Sequence, residues 1–218
     1  MGMHSTMGST HSQKATEPHP LTEDGASRAV ETLARAFMCD PVYARLFPEP
    51  EPRLRALRGM YDALVTYTLR YGNAAVASDG SGVACWLRPG ATRVTLWRII
   101  GTGFGLLRAV FRLGARARQA FLSATIHTDS VHHKLMQGPH WYLWALGVVP
   151  ERQGTGIGTA LLRPMLNEAD RVDAPCYLET QTPGNVAFYE RRGFRVALTE
   201  TLPALHLPVW YMVRDPHP

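Results

Sequence analysis

Residues 146–162, LGVVPERQGTGIGTALL, decide the fold. The stretch begins as an apolar strand predicted over 142–149, turns at Pro150, and passes through the glycine-rich loop 153–158 into a helix predicted over 155–170. Glycine at every second loop position leaves backbone N–H groups uncovered. The N-terminus of the helix adds unpaired N–H groups and a partial positive charge at the same place. The pattern therefore predicts an anion site, with phosphate as the expected anion.

Two phosphate-binding motifs have a spacing that this loop does not match. A P-loop needs a lysine after its last glycine, and the loop has none. A dinucleotide-binding loop needs Gly-x-Gly-x-x-Gly with an acid about twenty residues further on. The glycines here are Gly154, Gly156 and Gly158, and only Glu179 is suitably placed. An ordinary strand-to-helix turn remains an alternative if the loop is taken alone. The pattern Gln-x-x-Gly-x-Gly after a strand resembles the acetyl-CoA loop of the GNAT-type N-acetyltransferases.

A second motif, Asn-x-x-Phe-Tyr-Glu-x-x-Gly-Phe, follows at residues 185–194. It comes after a strand predicted over 176–180 and a turn over 181–184, and it indicates a short helix that ends at Gly193. The motif resembles a GNAT signature at this distance from the first. The resemblance implies that the Asn185 side chain contacts the pantetheine arm of the cofactor and that the Tyr189 hydroxyl lies near the sulfur of CoA.

The similarity over residues 140–196 extends to the branch that includes puromycin N-acetyltransferase, through His140-Trp-Tyr-Leu, Tyr-Leu-Glu-Thr and Phe-Tyr-Glu-Arg. It implies an α/β protein with the GNAT fold. That fold is a mixed, mostly antiparallel twisted sheet with helices on both faces and a V-shaped opening beside the central strand. It also implies acetyl-CoA-dependent N-acetylation of a primary amine on a small molecule, such as an antibiotic or an amino-nucleoside. A protein amine acetyltransferase and a non-catalytic acyl-CoA-binding sensor remain alternatives. The resemblance does not establish puromycin as the substrate, because the segments expected to form the acceptor pocket match that branch least.

The resemblance assigns the cofactor to the end of the central strand and the loop after it. The strand lies beside the acetyl-pantetheine arm, and one of its N–H groups polarises the thioester carbonyl. Gly147 in that strand allows a ligand to approach, or serves only close packing. Backbone N–H groups of the loop hold the pyrophosphate. The expected acetyl-CoA residues are Leu146, Gly147, Val148, Gln153, Gly154, Thr155, Gly156, Ile157, Gly158, Thr159 and Asn185.

Two side chains are the candidates for proton transfer. Tyr189 is the expected general acid, because a phenol with a pKa near ~10 is protonated at neutral pH and can donate to a thiolate; the alternative is an ordinary core tyrosine. Glu179, on the strand beside the cofactor cleft, is the candidate base, and a structural hydrogen-bonding role is equally open. Asp40 is the second choice for the base.

Length and composition predict one domain. The 218 residues divide into a disordered tail over 1–20 and a single GNAT domain over 21–218, with a helical insert at about 92–137. The net charge of +5 suits an anionic cofactor and does not require nucleic acid. Three scattered cysteines indicate a reduced, cytoplasmic protein. We see no signal peptide and no integral membrane segment, since the longest apolar run of the insert, 99–107, is far shorter than the ~20 residues needed. The sequence allows a homodimer as well as a monomer.

Other segments yield element predictions. Helices are expected after Asp24, ending at Asp40-Pro41, and over 53–71; a hairpin is expected over 74–87. The strand before the first helix is poorly marked, because prolines fall there. Strands are expected over 194–198 and 209–213, with residues 199–208 as a connection. Pro164 should kink its helix without breaking it.

Two clusters have competing interpretations. Arginines 108, 112, 116 and 118 form a solvated basic face, a membrane-surface face or a site for an acidic acceptor. The histidines at 127, 132, 133 and 140 have no cysteine and only Asp129 nearby, so no metal is predicted.

Overall fold

The computed structural model describes residues 17–92, 110–111 and 113–217. In these residues one mixed sheet has the strand order β1-β2-β3-β4-β5-β7-β6. All neighbouring strands are antiparallel except β4 and β5, which are parallel. The strands are β1 (Pro18–Pro20), β2 (Gly72–Ala77), β3 (Gly82–Leu87), β4 (Trp141–Val148), β5 (Cys176–Thr180), β6 (Arg195–Leu202) and β7 (Leu207–Arg214).

Helices cover both faces of the sheet, as predicted. They are α1 (Ala26–Ala36), α2 (Pro41–Leu46), α3 (Pro50–Tyr71), α4 (Ala115–Leu135), α5 (Ile157–Arg171) and α6 (Pro183–Glu190). Buried residues of α5 share a core cluster with Ala84 and Trp86, whereas α1 and α3 share another with Val83 and Cys85. Because consecutive β3 residues enter different clusters, this strand is buried on both faces. A third cluster packs α4 against β5 and β7.

The opening beside β4 arises where β4 and β5 separate. Their residue pairs are Trp141 with Cys176 and Tyr142 with Tyr177, at the start of both strands. On the other side of β4, the pairing with β3 shifts between Cys85 and Trp86. The shift leaves Trp144 without an opposite residue, which is the arrangement of a β-bulge. The second half of β4 is therefore free to line a cleft on its β5 side, as the sequence predicted.

The elements around the two motifs match the sequence predictions. The predicted strands 142–149 and 176–180 correspond to β4 and β5, and the short helix of the second motif is α6, after which Gly193 has a φ of 84°. Pro164 lies inside α5, and the helix continues through it to Arg171. The predicted hairpin corresponds to β2 and β3.

Two boundary predictions are wrong. Residues 18–20 were assigned to a disordered tail, but they form β1 and pair with residues 75–77 of β2. The first predicted helix does end before Asp40-Pro41, at Ala36, and Asp40 then begins α2, since its carboxylate accepts hydrogen bonds from the N–H groups of Val42 (2.9 Å) and Tyr43 (3.3 Å).

The connection predicted over 199–208 is the second error, because residues 199–202 and 207–208 are strand. Pro208 is tolerated in β7 because the pairing of β5 with β7 begins only at Trp210. Pro208 therefore faces β6 alone, opposite Thr201, and no β5 residue needs its missing N–H.

Part of the predicted insert lies outside the described residues. This applies to 93–109 and 112, and so to Arg108, Arg112 and the apolar run 99–107. The remainder forms α4, on which Arg116 is exposed and Arg118 is half-buried. In the described part of the chain, no helix is long and apolar enough to span a bilayer.

Gly147 shows why β4 and α1 can pack closely. A Cβ atom at this position would lie 2.9 Å from Ala36 Cβ, 2.9 Å from Leu33 Cδ2 and 3.2 Å from Phe37 Cε2. These distances are shorter than ordinary carbon–carbon contacts, so the close-packing role of this glycine is supported directly.

We therefore expect Gly147→Ala to lower the free energy of unfolding by about 1–3 kcal/mol, as overpacking of a core does. Denaturant unfolding of the two proteins measures the difference. Gly138→Ala is the matched control, since a Cβ there meets no atom within 4 Å. Equal stability losses in the two variants would contradict the packing argument.

Candidate active site

Two cavities meet along the second half of β4. One, of about 500 Å³, lies between the glycine-rich loop and α6. The other, of about 440 Å³, lies between the α1–α2 region, β4 and the end of β5. Both are lined by Leu146, Val148, Gln153, Asn185 and Tyr189. Tyr189 and Asn185, predicted from the second motif, therefore stand at the junction with the end of β4. We call the first the loop cavity and the second the inner cavity.

The loop cavity has the backbone geometry of an anion site. Gly154 and Gly156 have φ values of 76° and 88°, which only glycine adopts without strain. Gly156 caps α5, and no side chain bonds to the first N–H groups of this helix. A Cβ at either glycine would meet no atom within 4 Å, so the backbone here is open to a ligand.

The charge of the loop cavity is positive. Its lining includes Arg152, Arg191 and Arg192 and, in the described chain, no carboxylate. The Arg192 guanidinium lies 3.5 Å from the centre of the Phe188 ring and donates hydrogen bonds to the Thr159 hydroxyl and the Phe188 carbonyl. Burial, and then the neighbouring charge of Arg191, lower the pKa of Arg192. The adjacent arginines Arg191 and Arg192, in a lining that contains no acid, favour an anionic ligand.

The loop is held from both sides. Arg35 on α1 pairs with Glu151 at 2.7 Å, and Arg152 pairs with Asp79 of the β2–β3 turn at 3.1 Å. The Gln153 amide donates to the Val148 carbonyl at 3.1 Å, so this side chain closes the turn back onto β4. Surface pairs of this kind stabilise weakly, but together they restrict the loop.

Nine of the eleven predicted cofactor residues line the loop cavity. They are Leu146, Val148, Gln153, Gly154, Gly156, Ile157, Gly158, Thr159 and Asn185. Gly147 instead lines the inner cavity. Thr155 lines neither cavity, and its hydroxyl donates to the Arg152 carbonyl at 2.7 Å. The arginines that line this cavity were not among the predicted residues, although Arg191 and Arg192 stand at the end of the second motif.

Glu179 faces the inner cavity from β5. Its side chain is partly accessible there although it lies deep in the protein, and burial raises its pKa to about 7. The Tyr142 hydroxyl donates to Glu179 Oε1 at 3.1 Å and counteracts part of that rise. Asp40 lines the same cavity, and burial raises its pKa as well. A carboxyl with a pKa near neutrality can accept a proton reversibly at physiological pH.

Tyr189 is buried at the junction of the cavities. Its ring makes edge contacts with Phe188 and Phe194, with centroid distances of 5.1 and 5.7 Å. Burial raises the pKa of the phenol, and Arg192 only partly opposes this, so the hydroxyl keeps its proton at neutral pH. Next to it, the Asn185 amide donates to the Thr180 hydroxyl at 3.1 Å, which orients the amide at the cavity junction.

Two of the four histidines contact each other, and the other two bond to different partners. His132 Nε2 lies 2.7 Å from His140 Nε2, and burial lowers the pKa of His132 to about 3 and also lowers that of His140. His133 bonds to the Asp129 carbonyl, and His127 lies 2.7 Å from a carboxylate oxygen of Glu200. Among residues 17–92, 110–111 and 113–217, no three His, Cys, Asp or Glu side chains are grouped to hold a metal.

Similarity to known proteins agrees with this geometry. Residues 103–194 match the acetyltransferase (GNAT) family. An uncharacterized N-acetyltransferase of Schizosaccharomyces pombe is 26% identical over 197 residues, which are 87% of this chain and 79% of that protein. A solved structure from Corynebacterium glutamicum, described as histone acetyltransferase HPA2 and related acetyltransferase, is 26% identical with a TM-score of 0.64, covering 93% of this chain and 97% of that one.

A more distant structure has the same fold. Arylalkylamine N-acetyltransferase 2 of Aedes aegypti superimposes with a TM-score of 0.60 at 14% identity, covering 92% of this chain and 99% of that one. The fold is therefore the GNAT fold. The family match over residues 103–194 and the two relatives of 26% identity point to the same class of protein, the GNAT-type N-acetyltransferases.

Proposed function

We propose that the protein transfers the acetyl group of acetyl-CoA to the primary amine of a small molecule. One observation carries the proposal: the two cavities that meet at Tyr189 have opposite charge. Three arginines line the loop cavity, and two carboxyl groups, Asp40 and Glu179, line the inner one. An anionic cofactor and a cationic amine are thus each matched by one cavity.

The loop cavity would hold the cofactor. The uncovered N–H groups after Gly154 and Gly156, with the three arginines, suit the pyrophosphate and its charge. The pantetheine arm would then run along Leu146 to Val148 towards Asn185, as the family resemblance implies. This path ends at Tyr189, where the loop cavity opens to the inner one.

Side chains of this protein can accept or donate the protons that move during the acetyl transfer. Glu179 takes one proton from the ammonium and releases it to solvent, and the neutral amine attacks the thioester carbonyl carbon. The carbon–sulfur bond breaks, and the thiolate takes the proton of Tyr189. The phenolate recovers a proton from the amide nitrogen, directly or through water. A raised pKa at Glu179 and a protonated phenol at Tyr189 suit these two roles.

The size of the inner cavity bears on the choice between a small-molecule acceptor and a protein acceptor. Its volume of about 440 Å³ is in the range of small-molecule sites, which supports a small acceptor over a protein chain. The resemblance to the puromycin branch makes an amino-nucleoside one candidate of that size. The similar Corynebacterium protein is described as a histone acetyltransferase or a relative of one, so a protein amine is the second candidate.

The first test is release of free CoA thiol from acetyl-CoA with puromycin, 2-phenylethylamine, 1,4-diaminobutane, an amino sugar and an unblocked dipeptide as acceptors. Acceptor-dependent release with a small amine, together with its N-acetylated product by mass spectrometry, is expected. CoA binding with no release for any acceptor would favour the sensor instead. Release with the dipeptide alone would favour a protein acceptor.

A variant of Tyr142 tests the role of Glu179. Tyr142→Phe removes the hydrogen bond that lowers the pKa of Glu179, so this pKa should rise above about 7. Because the active form of a base is the carboxylate, the acid limb of kcat/KM should move to higher pH. Profiles between roughly pH 5.5 and 9 measure the displacement. Tyr61→Phe is the control, since Tyr61 lines the same cavity but does not contribute to the pKa of Glu179. An acid limb at the same pH in both variants would argue against Glu179 as the base.

A further inference from the structure

The inner cavity has an aromatic wall built from separate elements. Phe37 follows α1, Tyr43 lies on α2 and Tyr61 on α3. Their ring centroids are 5.1 Å apart for Phe37 and Tyr61, 6.3 Å for Phe37 and Tyr43, and 6.2 Å for Tyr43 and Tyr61. These are the spacings of mutually packed aromatic rings. The three rings therefore form one surface in the cavity, which we call the aromatic wall.

Further rings line the cavity away from this wall. Phe121 comes from α4, Tyr142 and Trp144 come from β4, and Tyr189 stands at the junction with the loop cavity. Tyr142 belongs to the half-exposed side of β4, on which its alternate residues face the opening. Trp144 is the residue that the β-bulge leaves unpaired, and a bulge commonly redirects a side chain at a binding site.

The charged groups of the cavity favour a ligand with one positive charge. Asp40 and Glu179 supply the charged groups, and the described lining contains no arginine, lysine or histidine. The Asp40 carboxylate already accepts two backbone hydrogen bonds as the cap of α2. Burial raises the pKa of Tyr43 to about 12 and holds that of Tyr61 well above its usual value, so the phenols of the aromatic wall stay neutral at pH 7. Glu179 is thus the group best placed to receive an ammonium.

We propose that the acceptor is a monoamine whose primary ammonium is joined by a short chain to an aromatic ring. The ammonium would approach Glu179 and Tyr189, and the ring would pack on the aromatic wall. Rings attract an ammonium at their faces and pack edge to face with another ring. This inference deepens the proposed function and rests on it.

Other amine classes fit this lining less well. A second ammonium, as in a diamine, would be buried among neutral rings. Its only acidic partner would be Asp40, whose carboxylate already accepts the two hydrogen bonds that cap α2. A peptide N-terminus would bring backbone N–H and C=O groups against the same rings, where they would lose their hydrogen bonds to water. An aliphatic ring of equal size would fill the space but would lose the specific contacts between aromatic rings.

The experiment compares kcat/KM for four amines: 2-phenylethylamine, 2-cyclohexylethylamine, 1,4-diaminobutane and alanyl-alanine amide. We expect kcat/KM for 2-phenylethylamine to be about 10-fold higher than for its cyclohexyl counterpart, because only the phenyl ring can form aromatic pairs. The difference in kcat/KM from the diamine and from the peptide should be larger still. Phe37→Leu should reduce the phenyl-to-cyclohexyl ratio about 5-fold. Phe111→Leu is the matched control, because Phe111 is 71% exposed and lines neither cavity; its ratio should equal that of the wild type.

The outcomes separate this inference from the proposed function. A diamine or peptide that equals or exceeds 2-phenylethylamine would overturn the aromatic acceptor and leave the acetyltransferase activity standing. A ratio that Phe37→Leu does not change would overturn the role of the aromatic wall. No CoA release with any of the four amines, despite CoA binding, would overturn the aromatic acceptor and the proposed function together.

Discussion

Tyr189→Phe is expected to lower the turnover number for acetyl transfer by about 10²–10⁴-fold, the usual loss when a general acid is removed. Tyr189 is buried where the two cavities meet, and its phenol keeps its proton at neutral pH because burial raises the pKa. Phenylalanine fills the same space and keeps the edge contacts with Phe188 and Phe194. The dissociation constant for CoA should therefore change little.

The measurements are steady-state turnover and calorimetric titration with CoA. Tyr211→Phe is the matched control, because Tyr211 is fully buried, lines neither cavity and has a hydroxyl with no hydrogen-bond partner in the described structure. It should retain wild-type turnover. A Tyr189→Phe protein with near-normal turnover would remove Tyr189 from the mechanism. A protein that loses CoA affinity to the same extent as turnover would make it a binding residue instead.

The secondary structure of residues 141–194 could be predicted from the sequence because it depends on local patterns. A strand, a glycine loop with positive φ values and a helix N-terminus follow one another without a gap, and each needs only its neighbours in the chain. The second motif ends its helix with Gly193, again a local requirement. Such patterns do not depend on what packs against them.

The errors arose where a distant contact decides the outcome. Pro208 was predicted to be a loop residue, but it lies in β7 opposite Thr201 of β6, and it is tolerated there because the pairing with β5 does not extend beyond Trp210. Gly147 was assigned two roles, and only the approach of α1, about a hundred residues earlier in the chain, distinguishes them. The aromatic wall also depends on tertiary packing, since its three rings come from three segments that meet only in the fold.

The pKa of Glu179 is a further property that only the fold determines. A glutamate on a strand has an ordinary pKa unless it is desolvated, and here burial raises the pKa from 4.5 to about 7. The difference is equivalent to about 3 kcal/mol between the protonated and ionised forms. Because the folded-state pKa is above the unfolded one, the protonated carboxyl adds stability at low pH. That contribution is lost as pH rises from 4.5 to about 7.

Glu179→Gln should therefore have two opposite effects. It should lower kcat/KM at pH 7.5 by about 10²–10⁴-fold, because glutamine cannot accept the proton of the ammonium. It should also raise the melting temperature relative to wild type at pH 8 but not at pH 5, since wild-type Glu179 must ionise in a buried position only at the higher pH. Thermal unfolding at the two pH values and rates at pH 7.5 measure both effects.

The combined change in activity and in melting temperature distinguishes a catalytic role of Glu179 from a purely structural one. Glutamine can still accept the hydrogen bond of Tyr142, so a structural role alone predicts a stability change with little loss of activity. Glu49→Gln is the control for charge removal, because Glu49 is exposed, makes no side-chain cap bond and lines neither cavity. Retained activity in Glu179→Gln would shift the base to Asp40. A loss of activity with a gain of stability that grows with pH would mean that this glutamate costs the fold stability while it serves the reaction.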